Sequence, residues 1–172
     1  YQAAKEKAAR ASTPEKKKGV GVSVGIYGAG GDGPDTAEAW VDVLPNGGVL
    51  ISTTWGDHGQ GADAGALGTA HEALRPLGIA PDKIRLELSD TAKAPDGGPA
   101  GGSRSQVVVG NAIRTACEKL LEALRQPDGT YLTYEQMAAV GMPTRYSGVW
   151  TSPTTIGDPA TGQGVPIQNY MY

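Results

Sequence analysis

The chain has 172 residues, 39% hydrophobic and 19% charged, with a formal net charge of -3. That length fits one domain or one lobe of something larger, and the acidic balance speaks against a nucleic-acid partner, which favours a basic surface. No apolar run approaches the ~20 residues of a membrane span, and the single cysteine, Cys117, excludes an internal disulfide framework or a cysteine-built metal site.

Residues 1–10 are rich in Ala, Lys and Glu and read as a helix, broken at Ser12-Thr13-Pro14. Residues 15–18 are a charge run, read as a solvated tether. Val20, Val22, Val24 and Ile26 alternate along residues 19–27, the period of a first strand, and residues 28–34 turn. Residues 36–44 set Ala37, Ala39, Val41 and Val43 against Glu38, Trp40 and Asp42, a second strand. Pro45-Asn46-Gly47-Gly48 is a hairpin turn into a third strand at 49–55.

The pattern then changes. Residues 62–77 place Ala66, Leu67, Ala70, Leu74 and Leu77 on one face, with His71 on a flank: an amphipathic helix stopped by Pro76 and Gly78. Residues 83–89 alternate Ile84, Leu86 and Leu88 with charges, a fourth strand with one wet face. A Gly/Pro/Asp loop covers 90–102. The longest helix, 105–125, carries Val109, Ile113, Ala116, Cys117, Leu120 and Leu124 at helical spacing. A short helix at 133–140 has Thr133 as N-cap and Gln136 completing a capping box. A short strand at 146–150 and a loop at 152–165 follow, and residues 168–172 read as the start of a strand.

The order β-β-β-α-β-α describes an α+β, two-layer unit: a mixed β-sheet with helices packed on one face. Residues 1–18 are expected as helix and charged tether, 19–150 as the functional lobe, and 151–172 as a loop and truncated strand. The chain starts at Tyr1 and stops inside that strand, so it is read as a fragment of a longer polypeptide.

The 26 glycines cluster where backbone must turn sharply or admit a ligand. Asp57-His58-Gly59-Gln60-Gly61-Ala62-Asp63 runs from the third strand into the first core helix. A helix start offers unpaired N–H groups and partial positive charge, and the glycines allow a phosphate or ring close approach. Gly59 to Ala64 also fits the loose dinucleotide pattern G-x-G-x-x-A, but the fold opens with hairpins rather than a βαβ unit, and Asp90 comes too late for the expected acidic residue. Gly28 to Gly33 opens no helix, and no Walker A sequence is present.

The second loop, Pro99-Ala100-Gly101-Gly102-Ser103-Arg104-Ser105-Gln106, precedes the longest helix. Two hydroxyls, a guanidinium, an amide and free N–H groups suit a phosphate or pyrophosphate. Helix capping accounts for one serine and leaves the rest unexplained. Two such loops on one small sheet favour a phosphate-bearing cofactor. A stand-alone NAD- or flavin-dinucleotide-binding domain and a non-catalytic binding module are the other readings of the residues. His58 and His71 have no metal-ligand spacing, and no Ser-His-Asp set or G-x-S-x-G elbow is evident.

Together, Asp57-His58-Gly59-Gln60-Gly61, Ser89-Asp90-Thr91 and Gly101-Gly102-Ser103-Arg104-Ser105-Gln106, with Gly110-Asn111-Ala112 beyond, resemble the molybdenum-cofactor-binding region of the xanthine dehydrogenase/aldehyde oxidoreductase family, the molybdenum hydroxylases. The loop wording is most similar to the bacterial aldehyde oxidoreductases. The resemblance covers about residues 20–124. It implies that His58, Gly59, Gln60, Gly61, Ala62 and Asp63, with Gly102, Ser103, Arg104, Ser105, Gln106, Val107 and Val108, hold a molybdopterin, in its cytosine dinucleotide form. Molybdenum is then bound by the pterin dithiolene, with no protein ligand to the metal.

The resemblance further implies that the full enzyme converts an aldehyde and water to a carboxylic acid and passes electrons to [2Fe-2S] clusters. The full enzyme is expected as a homodimer; the single cysteine fits the cytoplasm, with a periplasmic place left open, and charge and apolar run length leave no membrane or nucleic-acid partner. The remaining polypeptide and the aldehyde are the partners. The family's catalytic glutamate in a Gly-rich loop has no counterpart: Glu118 and Glu122 are on a helix and Glu135 is in a cap region. The Gly-Gly-x-Phe-Gly segment and the cluster cysteines are missing as well. The chain is therefore expected to hold cofactor and, alone, to be inactive.

Overall fold

A hairpin organises the molecule. In the computed structural model, which describes residues 1–25, 33–54, 56–88 and 90–164, β1 (Thr36–Val43) turns through Asn46 and Gly47 into β2 (Val49–Thr53). The two pair antiparallel, with Trp40 opposite Ser52 and Val43 opposite Val49. Gly47 sits at φ 73, the left-handed conformation the turn requires, and the Asn46 side chain accepts the Gly48 N–H at 3.0 Å.

From β2 the chain crosses through α2 (Ala62–Ala73) to β3 (Ile84–Leu88), which pairs parallel to β2 with Ile51 beside Leu86. This is a β–α–β crossover, so the expectation that the first glycine loop lacks such a context is corrected. Periodicity reports strands but not their direction, and the helix between them supplies the connection a parallel pair needs. The last strand, β4 (Arg145–Thr151), lies antiparallel on the other side of β1, giving the order β3-β2-β1-β4. The sheet is mixed, as read from the sequence.

Alternation along the strands turns Ala37, Ala39, Val41, Val49, Ile51 and Ile84 inward, against Ala66, Ala70 and Leu74 of α2. The same core takes Ile113, Ala116, Cys117, Leu120 and Leu124 from α3 (Gly110–Leu124). The opposite sheet face is polar: Arg145 pairs with Asp42 at 2.8 Å and lies 4.3 Å over the Trp40 ring, whose indole N–H donates to Glu38. Helix α4 (Tyr134–Ala139) starts at Thr133 with the expected capping box. α1 (Gln2–Arg10) buries no residue.

The expected first strand is the main departure. Residues 19–25 are irregular, with Val22 and Val24 largely exposed. Both sides of β1 are already taken by β2 and β4, so the alternating valines reach no sheet edge there. The rest of that strand, residues 28–32 of its turn, Trp55, Ser89 and the expected terminal strand at 168–172 lie outside the described residues. Among the described residues, no helix is long and apolar enough to cross a membrane.

Candidate cofactor-binding site

Because β2 and β3 run parallel, the loops leaving their C-terminal ends emerge from one edge of the sheet. Ligands in open sheets of this kind bind outside the carboxyl ends of the strands. Between the loops lies a groove of about 520 Å³. His58, Gln60, Gly61 and Ala62 line one side, and Ala100, Gly101, Gly102, Ser103, Ser105 and Gln106 line the other. A larger groove of about 630 Å³ lies at the far end, between the β1–β2 turn and the segment around Tyr131 and Tyr134. It receives neither glycine loop.

The first loop is braced from within. The Asp57 carboxylate accepts the N–H groups of Gly59 at 2.7 Å, Gly61 at 3.3 Å and Asp63 at 3.1 Å. These bonds, led by the one from Asp63, hold the Asp57 carboxyl below its ordinary pKa. Gln60 accepts the His58 N–H at 2.5 Å and donates to the Gly56 carbonyl at 3.2 Å. Gly59 and Gly61 adopt φ 98 and 82 and face open space. The N-terminus of α2 is thus compensated by a carboxylate, and several amides read from the sequence as free donors are already occupied. Asp63 itself does not line the groove.

The second loop is built differently. Gly102 and Ser103 both have positive φ, 50 and 56. Left-handed geometry costs a non-glycine residue about 1–2 kcal/mol, so the surrounding structure must impose it. The first helical turn, Ser105–Val109, is a π-turn, a widened winding that often marks functional sites. At its head Ser105 is only 7% exposed and lines the groove, and its Oγ is buried without a hydrogen-bond partner among the described residues. Gln106 spans the two helices: its amide nitrogen reaches Thr69 Oγ1 at 3.5 Å. A Cβ on Gly65 would lie 2.5 Å from its Oε1.

Arg104, expected among the cofactor-binding residues, does not line the groove, and all five of its guanidinium N–H donors are spent within the chain. Nε and Nη2 donate to the two Asp35 carboxylate oxygens at 2.6 and 2.8 Å, and Nη2 also to the Thr36 carbonyl at 3.0 Å. Nη1 donates to the carbonyls of Gly97 and of Pro99, the latter at 3.1 Å. Val107 and Val108 also stand apart: Val108 is fully buried in the core and Val107 packs against it, as an apolar pair on an inward-facing turn must. Asp90 is engaged by Lys93 at 3.0 Å and the Ala92 N–H, so it is no free ribose acceptor. Sequence reasoning missed Asp35; no local pattern marks it. Among the described residues, no group of three or more His, Cys, Asp or Glu side chains could hold a metal.

The family model for the molybdopterin cofactor-binding domain matches residues 1–172. The aldehyde oxidoreductase of Megalodesulfovibrio gigas is 54% identical over 173 residues, covering 100% of this chain and 19% of that protein. Two solved structures superimpose over 96% of this chain and 18% of theirs. They are the aldehyde oxidoreductase of Desulfovibrio desulfuricans, at TM-score 0.80 and 58% identity, and that of Desulfovibrio gigas, at 0.78 and 54%. The chain belongs to the molybdopterin cofactor-binding domain family. It spans less than a fifth of the length of these relatives, and the family resemblance carried by its two loops holds over its whole length.

Proposed function

We propose that this chain is the molybdopterin-holding lobe of an aldehyde oxidoreductase, with the cofactor in the groove between the two glycine loops. The observation that carries the placement is Ser105: a buried hydroxyl without a partner among the described residues, lining that groove at the head of a π-turn. An unmet buried donor is costly, and a phosphate oxygen meets it. The Asp57 carboxylate makes the Gly-Gln-Gly side unfavourable for a second anion. The anionic end of the ligand therefore belongs on Ser103 and Ser105, and a neutral heterocycle against the open Gly61.

When bound, the molybdenum–pterin group supplies two-electron oxidation of an aldehyde. This chain's residues bind and orient it. The pterin dithiolene, with no side chain from this lobe, holds the metal. The cytosine dinucleotide form follows from the similarity to bacterial aldehyde oxidoreductases. The proton-handling glutamate and the [2Fe-2S] clusters belong to the remaining polypeptide: Glu118, Glu122 and Glu135 do not line the groove. Residues 1–18 serve as tether, 19–150 as the lobe and 151–172 as its exit, within a cytoplasmic homodimer.

The test is metal and nucleotide analysis of the full-length protein carrying Gln60→Ala, Ser103→Ala and Ser105→Ala. Molybdenum and acid-released cytidine nucleotide should fall together. Unchanged molybdenum overturns the placement, and loss of molybdenum with a different nucleotide overturns the cytosine form alone.

A further inference from the structure

We propose that the Asp35–Arg104 ion pair sets the shape of the Ser-rich loop before the ligand arrives, making Asp35 a positioning residue for cofactor capture. The inference rests on the placement of the cofactor in the groove and goes beyond it, since neither side chain lines that groove.

The loop is moulded around the guanidinium. Arg104 is 8% exposed and holds the carbonyls of Gly97 and Pro99 on one side and the Asp35 carboxylate on the other. A Cβ on Gly98, at φ 71, would lie 2.5 Å from Nη2, so this position admits only glycine against the flat face of the group. The Arg104 N–H closes the turn onto the Gly101 carbonyl at 2.9 Å. Between these fixed points stand Gly102 and Ser103, the two left-handed residues that present the serine side to the groove. A guanidinium fork fixes direction as well as distance. A loop rich in glycine, otherwise free to sample many conformations, is thereby confined to one.

Asp35 is fixed in turn from outside the loop. It precedes β1, its N–H donates to Ser152 Oγ at 2.9 Å, and its carbonyl accepts the Ser152 N–H at 2.8 Å. Ser152 is bonded to Thr154 at 2.8 Å, and Thr154 donates to the Gly33 carbonyl. The segment after β4 and the cofactor loop thus share one chain of polar contacts through Asp35. Preorganisation of this kind raises affinity by lowering the ordering cost at binding.

The test uses the full-length protein with Asp35→Asn, alongside Ser105→Ala and the core control Ile113→Val. Two readouts are taken: molybdenum per polypeptide, and amide hydrogen exchange of protein grown without molybdenum. Asp35→Asn should accelerate exchange at residues 97–105 by roughly tenfold, leave α3 unchanged, and lower molybdenum content severalfold. Unchanged exchange at 97–105, equal acceleration in α3, or an equal loss of molybdenum in Ile113→Val overturns the proposal. If Asp35→Asn does not fold, Gly98→Ala displaces the guanidinium from the loop side and is read in the same way. Loss of molybdenum in Ser105→Ala but not Asp35→Asn overturns the positioning role alone. Retention in Ser105→Ala overturns the placement of the cofactor.

Discussion

Gly148 of β4 stands directly beneath Ala116 of α3: a Cβ on the glycine would lie 2.9 Å from the Ala116 Cα and closer still to its backbone nitrogen. The neighbours are helix backbone, which cannot rotate away. Gly148→Ala should therefore lift α3 from the sheet and cost about 3 kcal/mol, the upper end of overpacking penalties. The denaturant midpoint should drop with the slope unchanged. A shift under a quarter of that size would show that the helix–sheet distance is adjustable.

The first loop should respond to acid in a defined direction. The folded-state pKa of Asp57 lies below the ordinary aspartate value of 3.8, chiefly through the Asp63 N–H and then that of Gly59. A lowered carboxyl contributes stability that is complete above the unfolded pKa and lost as pH falls through the folded one. The amide resonances of Gly59 and Asp63 should titrate together with a common midpoint below 3.8. In Asp57→Asn that titration should vanish. Movement of both amides above pH 5 would contradict the assignment.

Cys117 should be chemically silent in the native protein. Burial, with a smaller contribution from Glu118, pushes its thiol up to about 12, and only the thiolate is reactive. Peptide mapping after treatment with an alkylating thiol reagent at pH 8 should find Cys117 unmodified until denaturant is added. Modification at native conditions on the timescale of mixing would indicate that α3 opens readily.

The α4 cap offers an unequal pair of bonds. Thr133 N–H donates to Gln136 Oε1 at 2.7 Å, whereas Gln136 N–H reaches Thr133 Oγ1 only at 3.4 Å. Gln136→Ala should thus cost as much as Thr133→Ala, each about 0.5–1 kcal/mol, measured as denaturant midpoints. A cost confined to Thr133→Ala would place the capping energy on the longer bond.

How far the site was legible depends on the range of each interaction. Gly59, Gly61 and Gly102 stand where turn chemistry puts them, all at positive φ. Gln60, Ser103 and Ser105 are brought to one groove, as their positions before two helices suggested. The partner of Arg104 was not legible because a long side chain selects it in space: Asp35 lies 69 residues away in sequence. Asp57 was seen as part of the loop but not as the acceptor that occupies its amides, since backbone N–H direction is not written in residue types.

The two glycine loops, the hairpin at Asn46-Gly47, the spacing of α3 and the Thr133 cap follow from the sequence by itself. Each is decided within a few residues by periodicity, backbone permissiveness or a side chain bonding its own turn. Only the tertiary structure decided that β2 and β3 run parallel, that the alternating valines of residues 19–25 join no sheet, and that Arg104 pairs with Asp35 and with the carbonyls of Gly97 and Pro99. Those outcomes turn on which edges and which charges meet across long stretches of chain. There the local pattern is satisfied by several arrangements, and long-range strand pairing and burial select among them.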